Sequence, residues 1–279
     1  MKVNNLPEDF DWKLYIELNY DLSQFNKEEA ESHYILYGFL EGRYYKRIDL
    51  NNKNVVLITS KIYVSEKKFS YIDKRSVYSK KERFEQTLET IFSVKINIPN
   101  SYIILFDNSQ FDNDEYKILS MLVDKFINIT DNSNLNFFTN DYEYKAFAEI
   151  SQILVFNDVF FKYVDKKSVN HFFKISGRYT IVSSVFNYNN YDNKNNIFKK
   201  NNYVNDRDYY YTCFYKLNND ILDEYFIHLK TLIENKNLYE NNVSDLEVIL
   251  PKLLINKINL VEKLGINERL AVFMKVEII

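Results

Sequence analysis

The spacing of hydrophobic and polar positions changes near residue 55. Before it, residues 9–48 predict two short helices, one starting near Asp9 and one starting at Asn26, with Gly38 at the C-cap of the second. Residues 55–58 (VVLI) instead form a continuous apolar run. Such a run is typical of a parallel strand that is buried on both faces.

From residue 55 onward, strand patterns alternate with helix patterns. Strands are predicted at 55–58, 102–106, 126–129, 172–178, 209–217 and 270–276. Helices are predicted from the capping box of Ser79 and Glu82, before residue 126, over about 141–163, from about 220 and from about 244. The first of these helices carries the apolar stripe Phe84, Leu88, Ile91 and Phe92.

Repeated strand–helix units predict an α/β fold with a mostly parallel, doubly wound sheet flanked by helices and right-handed crossovers. We therefore expect two units, a small helical module over residues 1–50 and an α/β domain over residues 51–279. The Asn-dense stretch 187–205 has two interpretations of equal weight, a long loop beside a site or a disordered insertion.

Composition narrows the classes of function. The chain has 36 basic and 39 acidic residues, a net charge of -3 and no long basic run, so nucleic acid is not expected as a partner. The apolar runs are too short to span a membrane, and the first nine residues contain no hydrophobic signal segment. Three histidines and one cysteine argue against a structural zinc site. We expect a cytoplasmic protein, and assembly with further copies of itself is left open.

Between Arg43 and Leu264 the chain has one glycine, Gly177, which follows an apolar run and precedes Arg178. Most other turns use Asn and Asp, which also tolerate the left-handed region. A glycine here therefore indicates a positive φ angle or a close approach of the backbone to a neighbour. The pattern predicts a buried strand that ends in a tight turn and presents Arg178 at the carboxyl edge of the sheet, where α/β proteins bind ligands.

Polar residues follow three of the predicted strands. They are Thr59 and Lys61, then Asp107 and Asn108, then Ser176 with Gly177 and Arg178. Such a row along one sheet edge predicts a nucleotide or nucleotide-sugar site. The chain has neither of the common phosphate-binding glycine loops and no nucleophile elbow, so P-loop, dinucleotide-binding and serine-hydrolase functions are excluded.

The order of these segments resembles the nucleotide-sugar-binding half of GT-A type glycosyltransferases, in particular glycosyltransferase-like proteins of large DNA viruses and some bacteria. The resemblance rests on the loop 71–79 (YIDKRSVYS), the helix 82–91 (ERFEQTLETI) and Asp107-Asn108-Ser109. The front segment, with DWKLY at 11–15, HY at 33–34 and EGR at 41–43, looks like a short unit that is often fused to such enzymes. The resemblance implies a nucleotide-sugar donor, with Asp107 near the nucleotide base. An ordinary turn residue is the alternative role for Asp107, with equal weight.

One departure from the family concerns its metal site. Metal-dependent members carry Asp-x-Asp where this chain reads Ser176-Gly177-Arg178. Arg178 is the available substitute, because a guanidinium can hold a departing diphosphate through paired hydrogen bonds. No metal ligands are therefore assigned and no Mg²⁺ or Mn²⁺ requirement is expected, although both cations stay open as alternatives. Lys174 either assists Arg178 or lies on the other face of the sheet.

The remaining candidates are weighed in the same way. Asp245 and Glu247 resemble the acidic helix start that supplies a general base, but Ser244 and Glu247 also form a capping box. Arg75 is assigned to phosphate binding. Arg83 is a second candidate for that role, but a solvated side chain or a pair with a carboxylate is favoured for it, because it lies in a charged helix. Lys145 is assigned to the nucleotide-sugar site, with pairing to Glu149 on the same helix as the alternative.

The sequence therefore predicts a glycosyltransferase that moves a sugar from a UDP-, GDP- or TDP-linked donor to a glycan or protein acceptor. The alternative is a non-catalytic protein that kept the fold and binds nucleotides or glycans, or acts as a scaffold.

Overall fold

The structure, a computed structural model, describes residues 5–69, 73–200, 210–235, 246–247, 250, 258–269 and 276–278. The strands are β1 (Lys53–Thr59), β2 (Ser101–Asp107), β3 (Lys125–Asn128), β4 (Val169–Ser176), β5 (Thr180–Ile181), β6 (Asn196–Lys200), β7 (Tyr210–Asn218), β8 (Ile258–Leu260), β9 (Ile266–Arg269) and β10 (Val276–Ile278). The helices are α1 (Trp12–Leu18), α2 (Lys27–His33), α3 (Lys80–Asn97), α4 (Asn113–Leu122), α5 (Ser133–Asn136), α6 (Lys145–Phe156) and α7 (Leu222–Glu234).

Seven of the described strands form the main sheet, in the order β3-β2-β1-β4-β7-β6-β8. The pairs β3-β2, β2-β1, β1-β4 and β6-β8 are parallel, while β7 is antiparallel to both of its neighbours. Six strands therefore share one direction. The predicted fold class, an α/β sheet that is mostly parallel and flanked by helices, is confirmed.

Two hydrophobic layers cover the sheet. On one face, α6 and α7 pack against alternate residues of the central strands, including Leu57 of β1 and Phe172 of β4. On the other face, α3 and α4 pack against the intervening residues, including Ile58 and Phe173. Successive side chains of a strand point to opposite faces, so an unbroken apolar run such as 55–58 is what a sheet covered on both sides requires.

The helix predicted from Ser79 forms as α3, and its capping box is confirmed by reciprocal hydrogen bonds between Ser79 and Glu82. The predicted apolar stripe is only partly right. Phe92 is 48% exposed, whereas the buried face contains the polar residues Arg83, Gln86, Thr87 and Thr90 beside Ile91 and Val94. Arg83 lines the cavity that is described below, and Thr87 contacts the ends of β1 and β4 beside it.

Other boundaries also differ from the predictions. β4 ends at Ser176, so Arg178 lies beyond the strand, and the long helix begins at Lys145 rather than near 141 because a π turn (Phe137–Asp141) precedes it. Of the predicted final strand 270–276, only Val276 is described, as the first residue of β10. No helix among the described residues combines the length and apolar composition that a membrane crossing requires.

The described part of the Asn-rich stretch is ordered into a short 3₁₀ turn (Tyr188–Asn190) and strand β6. Tyr188 accepts a hydrogen bond from Asn54 at the start of β1, and Asp192 contacts His171 near the start of β4. The segment before β6 therefore covers the amino edge of the sheet. None of the described residues of the stretch lines the cavity that is described below.

The front segment has a small hydrophobic cluster of its own, centred on Tyr15, Leu22, Ala30 and Tyr34. Gly38 was predicted to be a C-cap, but it lies inside a π turn (Tyr34–Gly38) without a positive φ angle. A Cβ atom at Gly38 would lie 2.1 Å from the hydroxyl oxygen of Tyr15. Close packing against a buried tyrosine is therefore the reason for this glycine.

We expect Gly38→Ala to lower the free energy of unfolding by about 1–3 kcal/mol, because the new methyl group overlaps the Tyr15 hydroxyl. Tyr15→Phe removes that hydroxyl, so the alanine should cost much less in the Tyr15→Phe background. Urea unfolding of the four proteins in this cycle measures the difference. An equal cost in both backgrounds would show that the overlap is not the cause.

Candidate functional site

A cavity of about 110 Å³ lies at the carboxyl ends of β1 and β4, beside the first turns of α3 and α6. The described residues that line it are Thr59, Ser60, Lys61, Val64, Phe69, Arg75, Arg83, Thr139, Lys145, Ala148, Glu149, Gln152, Ser176, Gly177 and Arg178. The carboxyl edge of an open α/β sheet is the usual place for a ligand. The cavity is therefore the candidate site.

The ends of β1 and β4 are held together by the backbone of Gly177. Its N–H donates a hydrogen bond to the carbonyl of Thr59 at 2.8 Å. A Cβ atom at Gly177 would lie 3.0 Å from the Cβ atom of Ser60 and 3.3 Å from the Thr59 carbonyl oxygen. Its φ angle is not positive, so the tight approach to β1, and not a left-handed turn, requires glycine here.

Buried polar contacts attach both flanking helices to this junction. The hydroxyl of Thr87 on α3 donates to the carbonyl of Gly177 at 3.1 Å and lies 3.2 Å from the Ser60 hydroxyl. The amide of Gln152 on α6 donates to the carbonyl of Ser60 at 2.7 Å. Each contact satisfies a polar group that would otherwise be costly to bury, so the cavity wall has a defined geometry.

The cavity is rich in positive charge. Five cationic side chains line it, namely Lys61, Arg75, Arg83, Lys145 and Arg178, against one carboxylate among the described lining residues, Glu149. Glu149 in turn forms an ion pair with a sixth cation, Lys174. The excess of cations favours a ligand with more than one negative charge.

The cations also act on each other. Arg83 is only 8% exposed, and burial, followed by the nearby charge of Arg178, lowers its pKa, while Asp107 opposes the shift. Burial likewise lowers the pKa of Lys61, with Arg83 adding to the effect and Asp107 opposing it. An anion in the cavity would stabilise the charged forms of both side chains.

Arg83 corrects one prediction, because it was expected to be solvated or paired with a carboxylate. Its guanidinium instead donates to the carbonyl of Lys61 and to the hydroxyl of Ser76. These bonds hold the segment that follows β1 against the start of α3. The sequence signal that pointed to this role was the position of Arg83 in the first turn of a capped helix that follows β1.

Arg178 and Lys145 occupy different depths of the cavity. Arg178 is 8% exposed, and its guanidinium carbon lies 5.5 Å from the ring centroid of Tyr179. Lys145 is exposed at the first residue of α6. The predicted alternative, pairing of Lys145 with Glu149, is not what the structure shows, because the carboxylate of Glu149 contacts Lys174 instead.

Arg75 lines the cavity, and its guanidinium already has several protein partners. It donates to the backbone carbonyls of Lys67, Thr139 and Tyr142 and lies over the ring of Phe69. These contacts join the segment after β1 to the turn before α6. Arg75 thus contributes positive charge while it fixes the cavity wall.

Asp107 and Asn108 do not line the cavity. The carboxylate of Asp107 is fully buried and accepts hydrogen bonds from the backbone N–H groups of Ile62 and Ser109. The side chain of Asn108 donates to Asn136 and Thr139. Both residues therefore hold the segments after β1 and β2 in place. For Asp107 this is the alternative role, that of a turn residue.

The two predicted general bases have different outcomes. Asp245 lies outside the described residues. Glu247 is half-buried and helical, and it is not among the residues that line the cavity. Its neighbours Leu246 and Leu250 belong to the hydrophobic layer that contains α6 and α7. A role for either acid as a base therefore stays a prediction.

The residues at the carboxyl end of β4 do not fit a divalent cation. Mg²⁺ and Mn²⁺ prefer carboxylate and carbonyl oxygens, whereas Ser176, Gly177 and Arg178 offer no carboxylate. Glu149 is already bonded to Lys174. Across the part of the chain that the structure describes, no group of three or more His, Cys, Asp or Glu side chains could hold a metal ion.

No family model matches this chain, and no curated protein matches it either. Among solved structures, it is similar to the glycosyltransferase GlyE of Streptococcus pneumoniae TIGR4, with a TM-score of 0.47, 13% identity, and coverage of 76% of this chain and 46% of GlyE. It is also similar to core-mannan synthase A of Aspergillus fumigatus in a Mn/GDP form, with a TM-score of 0.41, 11% identity, and coverage of 75% and 73%. The match thus spans less than half of the GlyE chain.

We expect Gly177→Ala to destabilise the protein by about 1–3 kcal/mol, because the methyl group would press on Ser60 and on the Thr59 carbonyl. The cost should fall in a Ser60→Gly background, which removes the two nearest atoms. Urea unfolding of the double-mutant cycle measures this. Additive effects would show that Gly177 is not needed for the close approach.

Proposed function

We propose that this protein is a glycosyltransferase that binds a nucleotide-sugar donor in the cavity at the carboxyl ends of β1 and β4. The donor would be UDP-, GDP- or TDP-linked, and the acceptor would be a hydroxyl of a glycan or protein. Two features support this proposal, the cavity itself and the resemblance of the sequence to GT-A type enzymes, including those of large DNA viruses and bacteria.

One observation carries the proposal, the excess of buried and half-buried cations around the cavity. Lys61, Arg83 and Arg178 come from three separate segments that converge at one sheet edge. Burial lowers the pKa of both Lys61 and Arg83, and a neighbouring cation adds to each shift, so their charged forms are costly to keep without a counter-charge. A diphosphate supplies that charge, and arginine side chains match phosphate oxygens through paired hydrogen bonds.

In the proposed reaction, the acceptor hydroxyl oxygen forms a bond to the anomeric carbon of the sugar as the bond from that carbon to the diphosphate breaks. The electron pair of the broken bond stays on the diphosphate oxygen, and Arg178 would stabilise it there. The acceptor proton passes to a base, for which Asp245 and Glu247 stay the predicted candidates. Thr59, Lys61, Arg75, Lys145, Ser176 and Gly177 would contact or frame the donor, and Asp107 and Asn108 would support that frame.

The first test is a thermal-shift panel of UDP-, GDP- and TDP-sugars, because a ligand that binds the native state raises the melting temperature. We expect at least one donor to stabilise the protein. Arg178→Ala should then lower the affinity for that donor by about 10-fold or more, since a hydrogen-bonded charge is lost. Arg47→Ala is the matched control, because Arg47 pairs with Glu17 outside the cavity.

No stabilisation by any nucleotide sugar would contradict the proposed function. Equal affinity of the Arg178→Ala and Arg47→Ala proteins for the donor would instead contradict the placement of the diphosphate.

The second test addresses metal dependence. We expect release of nucleoside diphosphate from the donor to proceed at an unchanged rate in excess EDTA, because Arg178 takes the position of the acidic pair. Product release is followed by chromatography with and without added Mn²⁺. Activity that EDTA abolishes and Mn²⁺ restores would refute metal independence.

The second candidate function, a non-catalytic binding or scaffolding protein, is favoured by the same absence of an acidic pair at Ser176-Gly177-Arg178. It predicts donor binding without turnover.

We further propose that residues 1–50 form a separate module and residues 51–279 the transferase domain. The separate hydrophobic cluster around Tyr15 and Tyr34 supports this division.

A further inference from the structure

Glu149 and Lys174 form an ion pair in the wall of the cavity. The binding of a diphosphate would not require this pair. Lys174 lies on β4 and is 0% exposed, while Glu149 lies on α6 and keeps 17% of its side chain exposed. Besides Glu149, the ammonium group of Lys174 donates to the Ser176 hydroxyl and to the Thr212 carbonyl, each at 2.9 Å. All three N–H donors of the ammonium therefore have acceptors.

The pair is a built feature of the cavity wall. A buried ammonium group is stable only when a counter-charge and hydrogen-bond acceptors surround it, and Lys174 has both. Glu149 supplies that counter-charge through one oxygen, Oε1, and the exposed part of its side chain lines the cavity. Lys174 thus holds a carboxylate at a defined place in an otherwise cationic cavity.

A carboxylate at this place restricts which part of a donor can lie beside it. Phosphate oxygens and a carboxylate repel each other, and neither has a hydrogen to donate when ionised. Sugar hydroxyls do have hydrogens to donate, and hydrogen bonds to a charged acceptor are about twice as strong as neutral ones. The neutral, hydroxyl-bearing part of the ligand is therefore the part that matches Glu149.

The position of the pair agrees with the connectivity of a nucleotide sugar. Lys174 contacts Ser176, and Arg178 follows two residues later along the same segment. A sugar beside Glu149 would therefore be next to a diphosphate beside Arg178, as the covalent link between the two requires.

We propose that Glu149 binds the sugar of the donor by accepting hydrogen bonds from its hydroxyl groups, and that Lys174 is the residue that positions Glu149. This assignment rests on the proposed function. It makes Glu149 a specificity-determining residue. The two halves of the ligand can be tested separately, because a change at Glu149 should weaken the binding of the sugar and not that of the nucleotide.

The test compares a nucleoside diphosphate with its sugar-linked form, using UDP with UDP-glucose and GDP with GDP-mannose. Isothermal titration calorimetry gives the affinity of each for the wild type and for Glu149→Gln, which keeps the size of the side chain and an acceptor for Lys174. We expect Glu149→Gln to weaken the sugar-linked form by about 10-fold while the diphosphate changes by less than about twofold.

A second variant guards against misfolding. Lys174→Met combined with Glu149→Gln removes both charges, and thus leaves no unpaired ion in the interior. We expect it to show the same selective loss for the sugar-linked form. Circular dichroism and the melting temperature confirm that both variants are folded.

Each outcome decides the assignment. Equal losses for the diphosphate and the sugar-linked form, or no loss for either, would overturn the role of Glu149 and leave the proposed function intact. If the wild-type protein binds none of these four ligands and no other donor of the nucleotide-sugar panel, both the proposed function and the assignment of Glu149 are overturned.

Discussion

The site depends on the contact between the backbone of Gly177 and the end of β1. One hydrogen bond, from Gly177 to the Thr59 carbonyl, closes the gap between the first and fourth strands at the carboxyl edge. A side chain at position 177 would push the two strand ends apart. Because Ser60, Thr87 and Gln152 all bond to this junction, the two flanking helices take their positions from it.

The same close approach concentrates charge. Lys61 follows β1, Arg178 follows β4 and Arg83 lies near the start of α3, so a junction without side-chain bulk brings three cations to one cavity. Burial lowers the pKa of Lys61 and of Arg83, and a neighbouring cation adds to both shifts, so a polyanionic ligand would stabilise their charged forms. The buried pair of Glu149 and Lys174 interrupts this positive surface at one place. One part of the cavity therefore favours anions, and in our proposal the adjacent part, at Glu149, favours hydroxyl groups.

The sequence predicted the fold class and much of the site, because both follow from local patterns. Apolar runs identified the central strands, a capping box identified α3, and polar residues after strands identified Thr59, Lys61, Ser176, Gly177 and Arg178. The burial of Glu149 and Lys174 could not be predicted, because a charged residue in a helix or strand has no local signal that distinguishes a solvated side chain from a buried one. For Arg83 the only signal was its position near the start of a capped helix that follows β1. The reversed direction of β7 was likewise invisible, since strand direction depends on pairing and not on periodicity.

By itself, the sequence determined that this is an α/β protein with its polar residues at one sheet edge, because hydrophobic periodicity and turn chemistry act over a few residues. It also indicated that Gly177 serves either a positive φ angle or a close approach of the backbone. Only the tertiary structure decided between the two, since the close approach is to Thr59 and Ser60, far earlier in the chain. It also decided that Asp107 supports the cavity wall, whereas Glu149 lines the cavity, because burial and pairing are set by segments that meet only in the folded state.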